Sequence, residues 1–229
     1  MRYPPDVVST PAHAVRQLKQ SGEHPVWLVQ RPGEAPRTLK TWSVTPTMCL
    51  KLMLGIAQPQ RQIAGARRLA RAGLRTPAIP DGWRFARRGR PVVEMELAFV
   101  EGLSALEAIR DRTLDGPYRR AASAAVGEVV AEMIEAGIFN RDMKLANLIL
   151  GDRDGQTEVW QIDTVGVRRI RRRVKEAARM LERLALELAI IRPRPDPAVW
   201  VPALRHALRG LDLDDRREVV RRLKAHRRQ

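Results

Sequence analysis

Three residues with oxygen-bearing side chains stand close together in the second half of the chain. Asp142 and Asn147 lie in FNRDMKLANLIL (139–150), and Asp163 ends VWQID (159–163). A carboxylate, an amide oxygen and a second carboxylate suit Mg²⁺, which prefers hard oxygen ligands and keeps substrate phosphates in its shell. If the three side chains converge, the chemistry that they favour is phosphoryl transfer.

Convergence requires the right elements around these residues. A helical pattern ends at Gly137, and the following sequence predicts a loop, a strand ANLIL (146–150), a turn GDRDGQ (151–156) and the strand VWQID. The Asp-Gly pair in this turn is typical of a β-hairpin. Such a hairpin would place Asp142, Asn147 and Asp163 at one of its ends. Taken alone, the loop has an ordinary alternative, which is a solvated connection after a helix.

The first hundred residues predict a small sheet that carries one helix. PVWLVQ (25–30) and RTLKTW (37–42) alternate apolar and polar residues on either side of a turn, and PVVEMELAFV (91–100) is a third strand candidate. Between them, PQRQIAGARRLARAGL (59–74) has apolar residues near helical spacing and stops at Gly73.

The rest of the chain is predicted to be mostly helical, so the expected fold class is α+β. Ser104 can cap the first helix of this part, and the Pro-rich RPRPDP (192–197) separates two of the later helices. The predicted helices lie in segments 101–112, 116–137, 174–191 and 211–226.

The composition indicates a folded protein of a reducing compartment. The chain has 229 residues, 44% of them hydrophobic, which is enough for a real core. Its single cysteine, Cys49, excludes an intramolecular disulfide. The N-terminus has no apolar run of signal-peptide length, and no uninterrupted apolar run reaches membrane-spanning length. We therefore expect a cytoplasmic location, with peripheral binding at the inner membrane face as an option.

The charge of the chain favours an anionic partner. Lys and Arg number 42 against 26 Asp and Glu, a formal net charge of +16. Nucleotides, nucleic acids and acidic membrane surfaces all suit such a charge. The alternative explanation for this charge is a GC-rich genome that encodes arginine where others encode lysine. Nucleic acid is the least expected of these partners, because the sequence has no zinc-finger, helix-turn-helix or RNA-binding signature.

Two segments resemble the protein-kinase-like superfamily. NRDMKLANLIL (140–150) is similar to its catalytic loop, usually His-Arg-Asp, a few variable residues and Asn, and QIDTVG (161–166) is similar to its Asp-Phe-Gly metal-binding segment. The resemblance implies ATP as co-substrate and Mg²⁺ as cofactor. It implies these roles: Asp142 is the catalytic base, Lys144 stabilises the transferring phosphoryl group, and Asn147 and Asp163 bind the metal.

The resemblance extends to the first hundred residues. Lys40 in TLKTW takes the place of the strand lysine that binds the ATP phosphates, and Gln62 takes the place of the helix glutamate that usually pairs with it. The implied fold is a two-lobed protein-kinase-like fold. Its N-terminal nucleotide-binding lobe would comprise residues 1–100 and its helical catalytic lobe residues 101–229, together one domain.

The sequence departs from the superfamily pattern at several positions. Asn140 replaces the histidine, which removes a usual packing and hydrogen-bonding partner. Gln62 can donate a hydrogen bond to an oxygen but, being uncharged, cannot form an ion pair with Lys40. Thr164 replaces the phenylalanine of the metal segment, and the region of the Gly-rich loop contains one glycine, Gly22. These departures leave two functions open, a kinase and a catalytically weak pseudokinase that acts as a nucleotide-sensing or membrane-associated scaffold.

Within the superfamily, the sequence is similar to the bacterial lipopolysaccharide kinase family. The similarity rests on the absence of a Gly-rich loop and on the segments ARAGLRTP (70–77) and IDTVGVRRIRRR (162–173). Members of that family phosphorylate Kdo or heptose of the lipid A inner core, which implies a sugar or glycolipid acceptor and fits an anionic membrane surface. RRIRRR (168–173) is either a solvated basic run or a site for a phosphate or a lipid head group.

Overall fold

The protein is described here by a computed structural model that covers residues 10–19, 24–153, 156–191 and 196–226. Three sequence features lie outside the described residues. They are Gly22, which is the one glycine in the region of the missing Gly-rich loop, the Asp-Gly pair of the predicted hairpin turn at 154–155, and most of the Pro-rich connector, 192–195.

The chain forms two compact units. The first contains Met1–Ala64 and Pro77–Phe99, and the second contains Gly65–Thr76 and Val100–Gln229. The expectation of one kinase-like domain divided at residue 100 stays a prediction.

The first unit is built on a five-stranded antiparallel sheet in the order β1-β2-β3-β5-β4. Three strands lie where the alternating pattern predicts them. The other two are additional to the prediction, because one is almost entirely exposed and the other is rich in arginine, so neither has a clear apolar face. The strands are β1 (Ala14–Lys19), β2 (Val26–Val29), β3 (Arg37–Ser43), β4 (Trp83–Arg88) and β5 (Arg90–Ala98).

Two helices accompany this sheet, where the sequence predicted one. The predicted helix is α2 (Gln58–Arg71), and the additional one is α1 (Pro46–Met53). The α1 helix has a proline in its first turn, and the Thr45 side chain accepts a hydrogen bond from the Met48 N–H as its N-cap. Only eight residues long, α1 shows too few turns for its periodicity to be recognised.

One face of the sheet supplies the core of the first unit. Val93, Met95 and Leu97 of β5 are almost fully buried, and they form one apolar cluster with Trp42 of β3 and Ile63 of α2. The strand period of two places the intervening β5 residues on the opposite face.

That opposite face carries two buried carboxylates. Glu94 and Glu96 are 1% and 4% exposed. Arg31 donates two hydrogen bonds to Glu96 at 2.6 and 2.9 Å, and Arg84 donates one at 2.9 Å. Arg88 donates to Glu94 at 2.6 Å. The hydrogen bonds from Arg31, opposed by burial, lower the pKa of Glu96 to about 2, and the same contact raises the pKa of Arg31.

The second unit is mostly helical. Ser104 and Glu107 form a capping box at the start of α3, as the N-cap prediction required. A helix at 197–208 is additional to the predicted set. The helices are α3 (Ala105–Arg110), α4 (Gly116–Glu135), α5 (Arg173–Ile190), α6 (Pro197–Leu208) and α7 (Leu213–His226).

Two small sheets accompany these helices. One is the predicted hairpin with a two-residue third strand, and the other is a single antiparallel pair. The strands are β6 (Leu103–Ser104), β7 (Ile138–Asn140), β8 (Leu148–Arg153), β9 (Gln156–Gln161) and β10 (Val167–Arg169).

The expected α+β fold class is confirmed. An antiparallel five-stranded sheet with its helices precedes a mostly helical region that contains the hairpin. In the parts of the chain that the structure describes, no helix is both long and apolar enough to cross a membrane.

The Glu96 contacts lead to a prediction about stability. We expect Glu96→Gln to lower the free energy of unfolding by about 2 kcal/mol at neutral pH, because it leaves the arginines without their buried counter-charge. The folded-state pKa of about 2 is below the ordinary 4.5, so the stabilisation is complete above pH 4.5 and declines as the pH falls towards 2. Urea unfolding at several pH values measures both effects.

The matched control is Glu34→Gln. Glu34 also pairs with Arg31, at 3.4 Å, but its side chain is 43% exposed, so we expect a change close to zero. Equal losses in the two variants, or a Glu96→Gln deficit that does not shrink in acid, would contradict the role of Glu96.

Candidate active site

Two antiparallel pairings bring together the chain segments around the predicted site. In one, Asn140 of β7 lies opposite Val167 of β10. In the other, Leu148 of β8 lies opposite Gln161 of β9. The loop that joins β7 to β8 and the loop that joins β9 to β10 therefore begin and end side by side. Asp142 and Asn147 lie on the first loop, and Asp163 lies on the second.

Backbone and side-chain hydrogen bonds connect the two loops directly. The Asn147 carbonyl accepts the Ile162 N–H at 3.1 Å, and the Arg141 N–H donates to the Gly166 carbonyl at 3.1 Å. Within the first loop, Asn147 Nδ2 donates to the Asp142 carbonyl at 3.2 Å. The structure thus brings Asp142, Asn147 and the Asp163 segment together, as the hairpin prediction expected.

The Asp163 side chain is oriented by its own turn. Its Oδ1 atom accepts the Val165 N–H at 3.3 Å. This contact resembles the Asx-turns in which an aspartate side chain accepts from the backbone two residues ahead. Asp163 lies two residues beyond the end of β9, and Ile162 next to it is hydrogen-bonded to Asn147, so Asp163 has a defined place beside Asn147.

Asn140 holds the two loops in register. Its side chain is 1% exposed; Oδ1 accepts the Asp142 N–H at 3.0 Å, and Nδ2 donates to Gln161 Oε1 at 3.2 Å. Gln161 Nε2 in turn donates to Met133 Sδ at 2.9 Å. The expectation that replacing the usual histidine removes a hydrogen-bonding partner is therefore wrong. The amide of Asn140 supplies one acceptor and one donor at this position.

Two glycines allow the segments to approach each other closely. A Cβ atom at Gly166 would lie 2.7 Å from Asp142 Oδ2 and 2.9 Å from the Asp142 nitrogen. A Cβ atom at Gly65, on the part of α2 that belongs to the second unit, would lie 2.0 Å from the Thr164 carbonyl oxygen. Neither position has room for a side chain, so the Asp163 segment is closely packed on both sides.

The segment that follows α2 also packs on the hairpin. The Arg75 carbonyl accepts the Gln161 N–H at 3.0 Å, and the Thr76 hydroxyl donates to the Gln161 carbonyl at 3.0 Å. Arg75 pairs with Glu158, and its guanidinium lies over the Trp160 ring at 5.6 Å. These contacts fix the end of β9, from which Asp163 follows.

The charged groups near Asp142 are exposed. Arg141 donates to Asp142 Oδ2 at 3.1 Å, and this hydrogen bond, with a smaller contribution from the charge of Asp163, raises the pKa of Arg141. The Arg141 side chain is 57% exposed, so the ion pair is weak and leaves the Asp142 carboxylate accessible. Lys144 is exposed between Asp142 and Asn147, where its backbone carbonyl accepts the Asn147 N–H.

The two residues predicted to bind ATP lie in the first unit. Lys40 is in β3, opposite Met95 of β5 and Val26 of β2, and this register places it on the sheet face that packs against α2. Gln62 is on α2 and is 1% exposed. The roles of Lys40 and Gln62 remain predictions.

The donor set at the second-unit site fits a magnesium ion. The Asn147 amide nitrogen is used in the bond to the Asp142 carbonyl, so the amide oxygen is the atom available to a cation, and Asp163 contributes a carboxylate. These are the hard oxygen ligands that Mg²⁺ accepts beside waters and phosphate oxygens. Among the described residues, no group of three or more His, Cys, Asp or Glu side chains is placed to bind a metal. The pair of Asn147 and Asp163 differs from such a group because it combines one carboxylate with an amide oxygen.

The basic run at 168–173 is partly structural. Arg168 pairs with the buried Glu176 and lies over the Phe139 ring at 4.4 Å. The backbone N–H of Arg171 donates to Glu176 Oε2 at 2.7 Å, which satisfies an otherwise unpaired group before α5. Arg168 is therefore part of the packing. For the exposed arginines of this run, binding of a phosphate or a lipid head group stays a prediction.

Several residues that shape the site were missed in the sequence. Gln161 and Gly65 carry no signal that separates them from other residues of their elements. Gly166 did carry one, because a glycine close behind Asp163 is part of the metal segment in the superfamily. Here it follows Asp163 by three residues instead of two.

Comparison with known proteins gives a likeness to solved structures only. No family model matches the chain, and no curated protein matches it. The chain is similar to the kinase domain of PknI from Mycobacterium tuberculosis, in three crystal structures of mutant forms, each at 18% identity. The TM-scores are 0.44, 0.48 and 0.47, with 98%, 99% and 99% of this chain covered and 99%, 100% and 100% of the other. The likeness concerns the fold alone.

The close approach at Gly166 leads to a prediction. We expect Gly166→Ala to destabilise the protein by about 1–3 kcal/mol, because the new methyl group overlaps atoms of the Asp142 loop. Hydrogen exchange of peptides that contain residues 140–147 should become faster than in the wild type. Urea unfolding and exchange followed by mass spectrometry measure the two effects.

Gly151→Ala is the matched control. A Cβ atom at Gly151 would meet nothing closer than 3.6 Å, so it should change neither stability nor exchange near Asp142. Unchanged exchange of the Asp142 loop in Gly166→Ala would show that this glycine does not control the loop.

Proposed function

We propose that the protein is an ATP-dependent phosphotransferase that moves the γ-phosphoryl group to a hydroxyl of a sugar or glycolipid. The observation that carries the proposal is the buried Asn140 side chain, which joins the Asp142 loop to the strand that leads to Asp163. Such precise placing of two loops is unnecessary for a solvated connection. It is useful for a site whose catalysis depends on positioning and electrostatics.

Each residue of the site has its own role in the proposed reaction. Asp142 accepts the proton of the attacking hydroxyl, which requires an accessible carboxylate held in a fixed loop. Lys144 provides positive charge for the transferring phosphoryl group. Asn147 and Asp163 would hold Mg²⁺, which supplies charge neutralisation for the nucleotide phosphates when it is bound. Lys40 would bind the α and β phosphates, with Gln62 as its neutral neighbour.

The acceptor is proposed from the family resemblance and the charge. A sugar of a lipopolysaccharide core or a similar glycolipid carries anionic groups, and the net charge of +16 favours such a partner. The same charge favours work at an anionic membrane face. We therefore propose that the enzyme is cytoplasmic and binds peripherally to the inner membrane.

A second candidate function is supported by Gln62. A neutral amide at the position of the helix glutamate is almost fully buried, and it cannot form an ion pair with Lys40. A site without that ion pair suits a catalytically weak pseudokinase that senses nucleotide or serves as a membrane-associated scaffold. Turnover separates the two candidates, because both would bind nucleotide.

The metal and nucleotide roles can be tested by thermal unfolding. We expect ATP and Mg²⁺ together to raise the melting temperature more than either alone, since a ligand that binds the native state stabilises it. Asp163→Ala should abolish the part that depends on Mg²⁺. Asp142→Ala should retain the stabilisation, because the base is not needed to bind nucleotide.

Asp214→Ala serves as the matched control. Asp214 is an acidic residue of α7 whose side chain is 93% exposed, so its removal should leave both stabilisations unchanged. If Asp163→Ala responds to Mg²⁺ and ATP as the wild type does, Asp163 is not a metal ligand.

Phosphoryl transfer can be tested with radiolabelled ATP. We expect label on a purified lipopolysaccharide core fraction, and we expect Asp142→Ala to reduce its rate at least about a hundredfold, the lower range for loss of a general base. The same assay with casein tests a protein acceptor, and Asp214→Ala is again the control. Nucleotide binding without label on any acceptor would favour the scaffold.

A further inference from the structure

The end of α1 and the turn after it carry a group of exposed apolar side chains. Leu50 is 56% exposed, Met53 84%, Leu54 62% and Ile56 52%. We call these four residues the α1 apolar patch. Single exposed apolar residues are ordinary, but four within seven positions of one short segment indicate a surface that meets an apolar partner.

The helix has a second, inward side, so the exposure of the patch is not a failure to fold. Leu52 is buried, and with the partly buried Met48 it belongs to the core of the first unit. The N-cap of α1 is formed as well, by Thr45. One side of α1 is thus fixed to the core, and the α1 apolar patch is what remains on the outside.

The N–H groups of the turn after α1 are satisfied by hydrogen bonds within the protein. The Gly55 N–H donates to the Leu52 carbonyl at 3.1 Å and the Ile56 N–H to the Lys51 carbonyl at 2.9 Å, the two bonds of a Schellman motif. Gly55 has a φ of 71°, which favours glycine at this position. Gln60 Nε2 donates to the Leu52 carbonyl at 2.9 Å.

The paired N–H groups make the turn compatible with the apolar part of a lipid bilayer. A turn that enters the apolar part of a lipid bilayer must have its N–H and C=O groups paired within the protein, because the surroundings offer none. The four N–H groups from Leu54 to Ala57 all donate to carbonyls of α1. The patch can therefore enter an apolar phase without unpaired N–H groups at its tip.

The charge around the patch indicates the kind of lipid. The part of the first unit from 41 to 64, which contains the patch, has two basic residues, Lys51 and Arg61, and no Asp or Glu. Lys51 is exposed and follows Leu50 of the patch directly in the sequence. A basic segment with an exposed apolar tip is complementary to an anionic lipid surface, which attracts the cations and accepts the apolar side chains.

We infer that the α1 apolar patch and Lys51 bind an anionic phospholipid membrane, with Met53 and Leu54 entering the apolar boundary. The inference deepens the membrane part of the proposed function and does not depend on phosphoryl transfer. A second copy of the chain is a poorer occupant, because a symmetric contact would bring two Lys51 side chains and two chains of charge +16 together.

The test is binding of the whole chain to lipid vesicles. We expect the protein to sediment with vesicles of phosphatidylcholine that contain about 30 mol% phosphatidylglycerol, and to bind phosphatidylcholine vesicles only weakly. Leu54→Glu should lower the partition coefficient at least about tenfold, because burial of a leucine side chain is replaced by a charge of the wrong sign. Lys51→Gln should lower it about fivefold on anionic vesicles and not on neutral ones.

Leu213→Glu is the matched control. Leu213 of α7 is 61% exposed, close to the value for Leu54, so the substitution has the same size and charge at another place. It should reduce binding only slightly, through the change in net charge. Cys49, the one cysteine, is exposed on α1, and an environment-sensitive fluorophore attached there should shift to the blue on binding.

Three outcomes would overturn the inference. They are a wild type that does not bind anionic vesicles, a Leu54→Glu variant that binds like the wild type, and an equal loss in Leu213→Glu. Stabilisation by ATP and Mg²⁺ is measured on Leu54→Glu in parallel. We expect it to equal that of the wild type, so that failure of membrane binding and failure of the phosphotransferase proposal are distinguished.

Discussion

The candidate site depends on one buried amide. Asn140 joins the Asp142 loop to β9 because its oxygen accepts from one segment and its nitrogen donates to the other. A neutral histidine also has one acceptor and one donor on its ring, so the two residue types can perform the same task with different reach. The cost of leaving a buried donor or acceptor unpaired is about 1–3 kcal/mol, so both bonds hold the loops firmly.

The two units achieve order by different means. In the second unit, glycines remove side chains where backbone segments meet, and a few amide contacts fix the loops. In the first unit, the buried carboxylates of β5 are satisfied by arginines from neighbouring strands and turns. Buried ion pairs add little net stability but are costly to break, so these contacts specify the pairing of the strands more than they strengthen it.

The sequence predicted much of the fold, because a hydrophobic pattern that extends over many residues identifies a strand or a helix reliably. The central strands and the long helices α2, α4, α5 and α7 follow from apolar patterns, the hairpin follows from its strands and the Asp-Gly pair in its turn, and Ser104 identified the start of α3. The first and fourth strands, α1 and α6 were missed. The strands and the eight-residue α1 contain too few apolar repeats, and α6 has a proline, Pro202, inside it. In the site, residue type and spacing singled out Asp142, Asn147 and Asp163. The roles of Asn140, Gln161 and Gly65 could not be recognised, since they depend on contacts between segments far apart in the sequence.

The hydrogen-bond chain beneath the Asp142 loop ends in sulfur. Met133 Sδ accepts from Gln161, and Met180 Sδ accepts the Asn140 N–H at 3.5 Å, while both methionines are fully buried. Exchange of methionine for leucine is usually harmless in a protein interior, because the volume is conserved. Here it would keep the packing but remove an acceptor from a buried N–H. Met133 and Met180 therefore tolerate substitution less well than their apolar surroundings indicate.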